Sequence, residues 1–186
     1  MGREKLTLEV GGVPLVSRVR DALSPSCSEI ILVGNGPDVL PDVPKIRDLR
    51  AGRAGPLAGL EAGLGAASFP AVFAAAGDMP LIPKELVGFL LDRLRSRGLR
   101  AVVPRHGDTV HPLCAAYDRG VLADVTCLLD TGTRAAWKLL EGLGGEAEFV
   151  EEELARFGDP EVFLTNVNAP EDLARARSFV DREGRA

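Results

Sequence analysis

The segment AVFAAAGDMP, residues 71–80, begins as a run of apolar residues that leads to a carboxylate, Asp78. We interpret residues 71–79 as a strand, so that Asp78 lies at the strand's carboxyl end, where open α/β sheets bind ligands. A single carboxylate in contact with solvent suits Mg²⁺, which keeps several waters and is often held by one or two carboxylates and substrate phosphates. Asp is also a favoured helix N-cap, so a metal site and a cap are both open for Asp78.

Strands and helices alternate on both sides of this segment. The apolar run Ile30–Val33 shows no alternation, which is typical of a parallel strand buried on both faces. The predicted strands are 28–35, 45–49, 71–79, 100–107, 110–117, 147–153 and 162–167, with a tight turn at Gly107-Asp108. The predicted helices are 14–23, 83–98, 118–130, 134–143 and 169–180, and one that begins near Pro56. This order predicts an α/β fold with a doubly wound, mostly parallel, Rossmann-like sheet in one domain, residues 1–186.

The composition excludes several classes of protein. The 186 residues carry a net charge of -5, and the cations are scattered rather than clustered, so we expect no nucleic-acid partner. The cysteines, Cys27, Cys114 and Cys127, form no C-x-x-C pair, which indicates reduced thiols. No apolar run is long enough to cross a bilayer, and we see no targeting leader. We therefore expect a cytoplasmic protein without a membrane partner.

Two charged residues and a glycine-rich segment are further candidates for ligand binding. Asp48 ends the strand 45–49 and suits contact with a ribose, a base or a metal-bound water, although a solvated loop Asp is the alternative. Lys5 suits contact with a phosphate as a point charge, and a solvated lysine is its alternative. Glycines near a helix N-terminus let backbone approach an anionic ligand, or serve turns and close packing. They are Gly52, Gly55, Gly59 and Gly63.

One histidine and two asparagines complete the candidates. His111 begins a strand as His-Pro-Leu, and a lone histidine is more often a core or turn residue than a base or ligand. Asn166 and Asn168 flank the last strand–helix junction. Asn168 and Glu171 match a capping box, with Asn168 as the N-cap. Capping is the leading interpretation of Asn168, and it is compatible with ligand contact.

Seven fragments occur in one order along nearly the whole chain: MGREK, VGGVPL, IRD, GPLAGLEAGL, AAGDMP, HPLCAAY and TNVNAPEDL. Together they resemble the MobA family of molybdenum cofactor guanylyltransferases. The resemblance implies a sheet of the nucleotide-diphospho-sugar transferase type. It also implies a reaction in which GMP passes from GTP-Mg²⁺ to molybdopterin, giving the guanine dinucleotide cofactor and pyrophosphate. The implied partners are GTP and molybdopterin, together with apo-molybdoenzymes or other cofactor-maturation proteins.

The resemblance also assigns roles to the candidate residues. Lys5 would contact the GTP phosphates as a catalytic and nucleotide-binding residue, and Asp78 would be catalytic and bind Mg²⁺ and nucleotide. Asp48 would contact the nucleotide. Asn166 and Asn168 would lie near the pterin, and His111 near the reacting phosphates. The loop beside the guanine pocket would consist of Gly55, Pro56 and Leu57.

The chain departs from the family at its start. The family signature reads L-A-G-G-x-S-x-R-M-G-x-x-K after an apolar strand, whereas this sequence begins at its M-G. We expect the first central strand and the nucleotide loop to be missing, and Met1 to be an internal methionine. Unpaired backbone groups on both neighbouring strands would each cost about 1–3 kcal/mol, against a total stability of about 5–15 kcal/mol. A genuinely shortened relative is the alternative.

Three other functions stay open at this point. One is transfer of a cytidylyl group to the same pterin, and another is nucleotidyl transfer to a sugar phosphate or other small metabolite. The third is a non-catalytic protein that binds the pterin or an apo-enzyme. The C-terminal NVNAPEDL favours the pterin branch over the second alternative, and only the missing loop supports the third.

Overall fold

The computed structural model describes residues 5–50 and 55–183. Residues 1–4, which include Met1, and residues 51–54, which include Gly52, lie outside the described part. The strands are β1 (Glu9–Val10), β2 (Val13–Pro14), β3 (Leu32–Val33), β4 (Lys45–Ile46), β5 (Ala71–Ala75), β6 (Ala101–His106), β7 (Thr109–Val110), β8 (Cys114–Asp118) and β9 (Ala147–Val150). The α-helices are α1 (Leu15–Leu23), α2 (Gly55–Ala66), α3 (Lys84–Arg97), α4 (Leu122–Asp130), α5 (Trp137–Leu143), α6 (Pro160–Phe163) and α7 (Pro170–Glu183).

The main sheet has the strand order β5-β8-β6, with β9 and β7 also paired to β6. Strand β8 runs antiparallel to both β5 and β6, and β9 runs parallel to β6. Therefore β5, β6 and β9 share one direction, and β8 opposes them. The prediction of an α/β fold with a mostly parallel sheet is confirmed.

Helices cover both faces of this sheet, because successive strand residues point to opposite sides. Ala101 and Val103 of β6 pack in one cluster with α2, α4 and α5, while Val102 packs in another with α3. Along β8, Tyr117 belongs to the first cluster and Ala116 to the second. The doubly wound arrangement is confirmed, and both layers are mainly aliphatic.

Strands β3 and β4 form a two-stranded sheet that is separate from the main sheet in the described part of the chain. In the described ranges, β3 pairs only with β4, in parallel, and β5 pairs only with β8. Helix α2 contacts β3, β4 and β5 and so spans both pieces. Ser68 ties the amino ends of the two pieces, because its backbone N–H and hydroxyl donate to Glu29 Oε2 and Oε1 at 2.9 and 2.8 Å.

The structure corrects two expectations about β3. Residues 28–35 were expected to form one strand, but only Leu32–Val33 are paired. Ile30–Val33 were expected to be buried on both faces, but they are half-buried, and so is all of β5. Among residues 5–50 and 55–183, β3 and β5 each pair along one edge only, which leaves the other edge without the cover that a parallel strand normally receives.

The chain before α7 is also different from the prediction. Residues 162–167 were expected to form a strand, but Pro160–Phe163 form the short helix α6. The Asp159 carboxylate accepts from the Glu161 backbone N–H at 3.0 Å, and Pro160 occupies the first turn. A capping Asp followed by Pro is a helix-start signal, and it outweighs the apolar run that follows. The turn at Gly107-Asp108 is confirmed, because His106 pairs with Thr109 across it.

Candidate active site

Asp78 lies three residues beyond the end of β5, at its carboxyl end. Its backbone carbonyl accepts a hydrogen bond from the Val167 N–H at 2.8 Å, which brings the loop before α7 to this strand. The N-cap position of the following helix α3 is taken by Pro83. The capping interpretation of Asp78 is therefore wrong, and its carboxylate is available for other contacts.

Lys5 binds the Asp78 carboxylate. Its Nζ donates to Asp78 Oδ2 at 2.5 Å and to Asn168 Oδ1 at 2.7 Å. The side chains of Lys5 and Asp78 are only 16% and 19% exposed, so the pair is better shielded than an ordinary surface ion pair. The interpretation of Lys5 as a solvated lysine is wrong, since two oxygens from distant parts of the chain converge on its ammonium group.

The short 3-10 helix Lys5–Thr7 contacts the chain after β5 through its middle residue, Leu6. A Cβ added to Gly77 would lie 3.1 Å from Leu6 Cδ2 and 3.7 Å from Val16 Cγ2. The absence of a side chain at Gly77 thus lets Leu6 pack closely beside Asp78. This apolar contact places Leu6, the neighbour of Lys5 in the chain, beside the strand end.

Asn166 holds the other oxygen of the carboxylate. Its Nδ2 donates to Asp78 Oδ1 at 2.7 Å. The loop before α7 therefore supplies two amides to the cluster, Asn166 on Asp78 and Asn168 on Lys5. We name the four residues Lys5, Asp78, Asn166 and Asn168 the carboxylate cluster.

The cap of α7 differs from the predicted capping box. Asp172 Oδ2 accepts from the backbone N–H groups of Asn168 and Ala169 at 2.9 and 2.8 Å. These two hydrogen bonds lower the pKa of Asp172 below its usual value, because they stabilise the ionised carboxylate. The contact that the capping box predicted for the Glu171 side chain, with the backbone N–H of Asn168, is made by Asp172 instead. The Asn168 side chain accepts from Lys5.

Asp48 lies apart from the carboxylate cluster in its contacts. Its Oδ2 accepts from Asn35 Nδ2 at 3.0 Å. Val33 pairs with Ile46, so Asn35 and Asp48 both stand two residues beyond this pair, at the carboxyl ends of β3 and β4. Asn35 was not among the candidates predicted from the sequence, although it is a polar residue at the end of the predicted strand 28–35, which was a usable signal.

The segment Gly55–Leu57 begins α2 and contacts a different loop. Gly55 has φ +76°, and a Cβ there would lie 3.1 Å from the Arg134 carbonyl oxygen. The Leu57 N–H donates to that same oxygen at 3.4 Å, and the Leu57 side chain is fully buried in the aliphatic core. Only the exposed Pro56 of these three presents its side chain to solvent.

His111 is half-buried between β7 and β8. Its backbone N–H donates to the Pro104 carbonyl at 3.0 Å, and its carbonyl accepts from Cys114 at 2.9 Å. Burial lowers the pKa of His111 below its usual value of 6.5, and the nearby His106 lowers it further. Within residues 5–50 and 55–183, no hydrogen bond joins His111 to the carboxylate cluster.

A cleft opens beside Lys5, with a volume of about 210 Å³. Its walls include Lys5, Leu32 and Val33 of β3, the turn after β3, and Lys45 of β4. The Lys45 ammonium donates to the Gly36 carbonyl. Two lysines therefore border a partly apolar cleft at the carboxyl end of β3, and one of them belongs to the carboxylate cluster.

The donor chemistry of the carboxylate cluster fits a hard cation with several waters. Asp78 Oδ2 and Asn168 Oδ1 already converge on one cationic group, the ammonium of Lys5. In the described part of the chain, no group of three or more His, Cys, Asp or Glu side chains is placed to hold a metal. Mg²⁺ is commonly bound through one or two carboxylates plus substrate phosphates, so the residues present fit Mg²⁺ better than a metal that needs a cage of protein ligands.

No helix in the described ranges is both long enough and apolar enough to cross a membrane.

Comparison with known proteins agrees with the resemblance seen in the sequence. The MobA-like NTP transferase domain matches residues 1–148. The probable molybdenum cofactor guanylyltransferase of Pelotomaculum thermopropionicum is 35% identical, over 100% of this chain and 90% of its own. The molybdenum cofactor guanylyltransferase of Cereibacter sphaeroides is 34% identical, over 98% and 91%.

Solved structures give the same result. Molybdopterin-guanine dinucleotide biosynthesis protein A from Archaeoglobus fulgidus superposes with a TM-score of 0.78 and 27% identity, covering 96% of this chain and 91% of its own. The 2-C-methyl-D-erythritol 4-phosphate cytidylyltransferase of Thermus thermophilus, 20% identical with a TM-score of 0.73 over 97% and 95%, shares the fold. With its fold, its matched domain and its full-length relatives in agreement, the chain belongs to the MobA-like NTP transferase family of nucleotidyltransferases.

Proposed function

We propose that this chain transfers GMP from GTP to molybdopterin, with release of pyrophosphate, in a reaction that depends on Mg²⁺. The observation that carries the proposal is the carboxylate cluster, in which a lysine, an aspartate and two asparagines meet at the carboxyl end of β5. Relatives at 34–35% identity that span nearly the whole chain bear the name molybdenum cofactor guanylyltransferase, which supports guanine as the base and the pterin as the acceptor.

The reaction asks the protein for positioning and for charge. The terminal phosphate of the pterin attacks the α-phosphorus of GTP, the bond from that phosphorus to the bridging oxygen breaks, and pyrophosphate leaves. Such transfers need little covalent help, and they are accelerated by in-line placement and by cations beside the phosphate oxygens. Lys5 supplies a cation at the edge of the cleft, and Asp78 would hold the Mg²⁺. That ion would neutralise charge on the phosphate oxygens.

The proposed roles of the remaining candidates follow the resemblance to the family. Asp48, with Asn35, and the main chain of Gly55–Leu57 would contact the nucleotide. Asn166 orients the Asp78 carboxylate, and together with Asn168 it would face the pterin side. His111, whose pKa is lowered by burial, would lie near the reacting phosphates.

We also propose a cytoplasmic location and delivery of the product to apo-molybdoenzymes. Cys27, Cys114 and Cys127 are free thiols, which supports a reducing compartment. Fractionation of cells that express the tagged chain tests the location. Capture of a purified apo-molybdoenzyme by the product-loaded protein tests the delivery.

The activity is tested by pyrophosphate release from GTP, Mg²⁺ and molybdopterin. Asp78→Asn keeps the shape of the side chain but removes its charge, and we expect the rate to fall by at least about 100-fold. Asp92→Asn is the matched control, because Asp92 is an exposed aspartate of α3 with an 81% exposed side chain. Full activity of Asp78→Asn would contradict the proposal.

The base is tested separately. Calorimetric titration with GTP and with CTP in the presence of Mg²⁺ compares the two nucleotides on the same protein. We expect the tighter binding with GTP. A clear preference for CTP would assign the chain to cytidylyl transfer, and the carboxylate cluster would keep its proposed role.

A further inference from the structure

We propose that Lys5 and the divalent cation exchange places on Asp78, so that the lysine guards the metal position until metal and nucleotide arrive together. The inference rests on the proposed function, because it concerns the same carboxylate. It adds an order of events. In the ligand-free protein the Lys5 ammonium occupies the position of the cation on Asp78, and once it is displaced its positive charge is available to the incoming phosphates.

The geometry of the ammonium is the first step. Lys5 Nζ lies 2.5 Å from Asp78 Oδ2 and 2.7 Å from Asn168 Oδ1. Asn166 occupies the other carboxylate oxygen at 2.7 Å. An ion that binds Asp78 and Asn168 must therefore take the place that the ammonium holds, because the oxygens that could receive it converge on that point.

Electrostatic repulsion is the second step. A divalent ion bound to Asp78 Oδ2 would stand within a few ångström of an ammonium group that stayed in place. Two like charges at such a distance, in a site that is largely shielded from water, repel each other strongly. The metal alone thus binds only at the cost of an ion pair, whereas metal with a polyphosphate gives the displaced lysine a new anionic partner.

The path of the displaced side chain is the third step. Leu6 packs against Gly77, and the exchange can proceed with this contact in place, because only the flexible four-carbon stem of Lys5 has to move. The same side chain already borders the 210 Å³ cleft. Lys45 stands on the cleft with its ammonium on the neutral Gly36 carbonyl. An anionic ligand in the cleft would therefore meet two ammonium groups after the exchange and one before it.

The test measures metal binding without catalysis. Binding of Mn²⁺ is followed by electron paramagnetic resonance for the wild type and for Lys5→Met, which keeps a chain of similar length but has no charge. We expect Lys5→Met to bind Mn²⁺ alone at least about tenfold more tightly than the wild type. We further expect GTP to tighten Mn²⁺ binding in the wild type more than in Lys5→Met.

Lys45→Met is the matched control. It removes one positive charge from the wall of the same cleft, but from a lysine bonded to a carbonyl rather than to Asp78. We expect it to change the Mn²⁺ dissociation constant less than about twofold. If Lys5→Met and Lys45→Met tightened Mn²⁺ binding equally, the exchange would be overturned, because the result would show only the general effect of removing one positive charge.

A second measurement uses the unaltered side chain. The Cε resonance of Lys5 in ¹³C-lysine-labelled wild type, assigned from its loss in Lys5→Arg, is followed as Mg²⁺ is added. A shift of the Lys5 resonance with an unmoved Lys45 resonance supports the exchange. No shift at a Mg²⁺ concentration that saturates the site overturns it.

The outcomes separate this inference from the proposed function. If Lys5→Met binds Mn²⁺ no better than the wild type while Asp78→Asn abolishes binding, the exchange is wrong and the proposed metal site stands. If no protein binds Mn²⁺ even with GTP, the proposed metal site fails and the exchange fails with it.

Discussion

Arg50 grips the Glu61 carboxylate with two parallel hydrogen bonds, Nε to Oε2 and Nη2 to Oε1, each 2.8 Å long. Glu61 lies on α2 and is the one buried charged residue in the described ranges, with 5% of its surface exposed. Thr126 of α4 donates to Oε1 at 3.0 Å, and Arg50 Nη1 reaches Asp130 at 2.7 Å. This network ties the chain just beyond Asp48 to the helices that cover the sheet.

Arg50→Ala should lower the free energy of unfolding by about 3 kcal/mol, because it leaves a buried carboxylate without its charged partner. The midpoint of urea unfolding measures the loss. Arg97→Ala is the control, since Arg97 is a 56% exposed residue whose 3.0 Å pair with Glu148 should contribute less than about 1 kcal/mol. Equal losses in the two variants would show that the Arg50 pair is no stronger than a surface pair.

Gly55→Ala should destabilise the protein by about 1–3 kcal/mol. The residue has φ +76°, which an L side chain rarely adopts, and the new methyl would lie 3.1 Å from the Arg134 carbonyl oxygen. Gly59→Ala in the same helix is the opposite case, because a Cβ there meets no atom within 4 Å. We expect Gly59→Ala to stabilise α2 by up to about 1 kcal/mol. Thermal unfolding of both variants measures the two changes in stability. A Gly55→Ala variant more stable than the wild type would contradict the strain that we expect at this residue.

Asn166→Ala should raise the Mg²⁺ concentration for half-maximal activity by at least about tenfold. The hydrogen bond of 2.7 Å from Asn166 orients the Asp78 carboxylate, and one such bond to a charged group is worth about 1.5–3 kcal/mol. Pyrophosphate release is measured across a Mg²⁺ series, with the unfolding midpoint as a check on folding. An unchanged Mg²⁺ requirement would leave Asn166 without an orienting role.

His111 should make stability depend on pH below neutrality. Burial holds its pKa below 6.5 in the folded protein, so the unfolded chain takes up the proton first as the pH falls. The free energy of unfolding should therefore decrease below pH 6.5, by at most about 1.4 kcal/mol per pH unit. Urea unfolding at pH 7.5 and 5.5 measures the loss. The free energy of unfolding of His111→Gln should decrease less over this pH range than that of the wild type. An equal decrease in the two proteins would assign the effect to other groups.

Local signals predicted the helices well. Helix α3 spans Lys84–Arg97 within the predicted 83–98, its leucines are buried, and Gly98 ends it with φ +62°. These signals reside within a few residues of one another, so the sequence alone carries them. The extent and burial of β3 and β5 were not predictable in this way, because they depend on which strands lie alongside.

The candidate site also depends on residues that are distant in the chain, which local signals do not reveal. Lys5 and Asp78 are 73 residues apart in the chain, and Asp78 and Asn166 are 88 apart. No local pattern joins such residues, and the resemblance to a family supplied the link. The Arg50–Glu61 pair was missed, although a lone glutamate within the apolar run GPLAGLEAGL indicated a buried charge in need of a partner.

The backbone carbonyl of Asp78 holds Val167, and therefore the loop that bears both asparagines, independently of the carboxylate. Replacing the side chain at this position leaves that anchor in place. A substitution at residue 78 therefore removes the side-chain contacts with Lys5 and Asn166 but keeps the backbone hydrogen bond to Val167, so one of the two ties between this loop and the end of β5 survives the loss of the carboxylate.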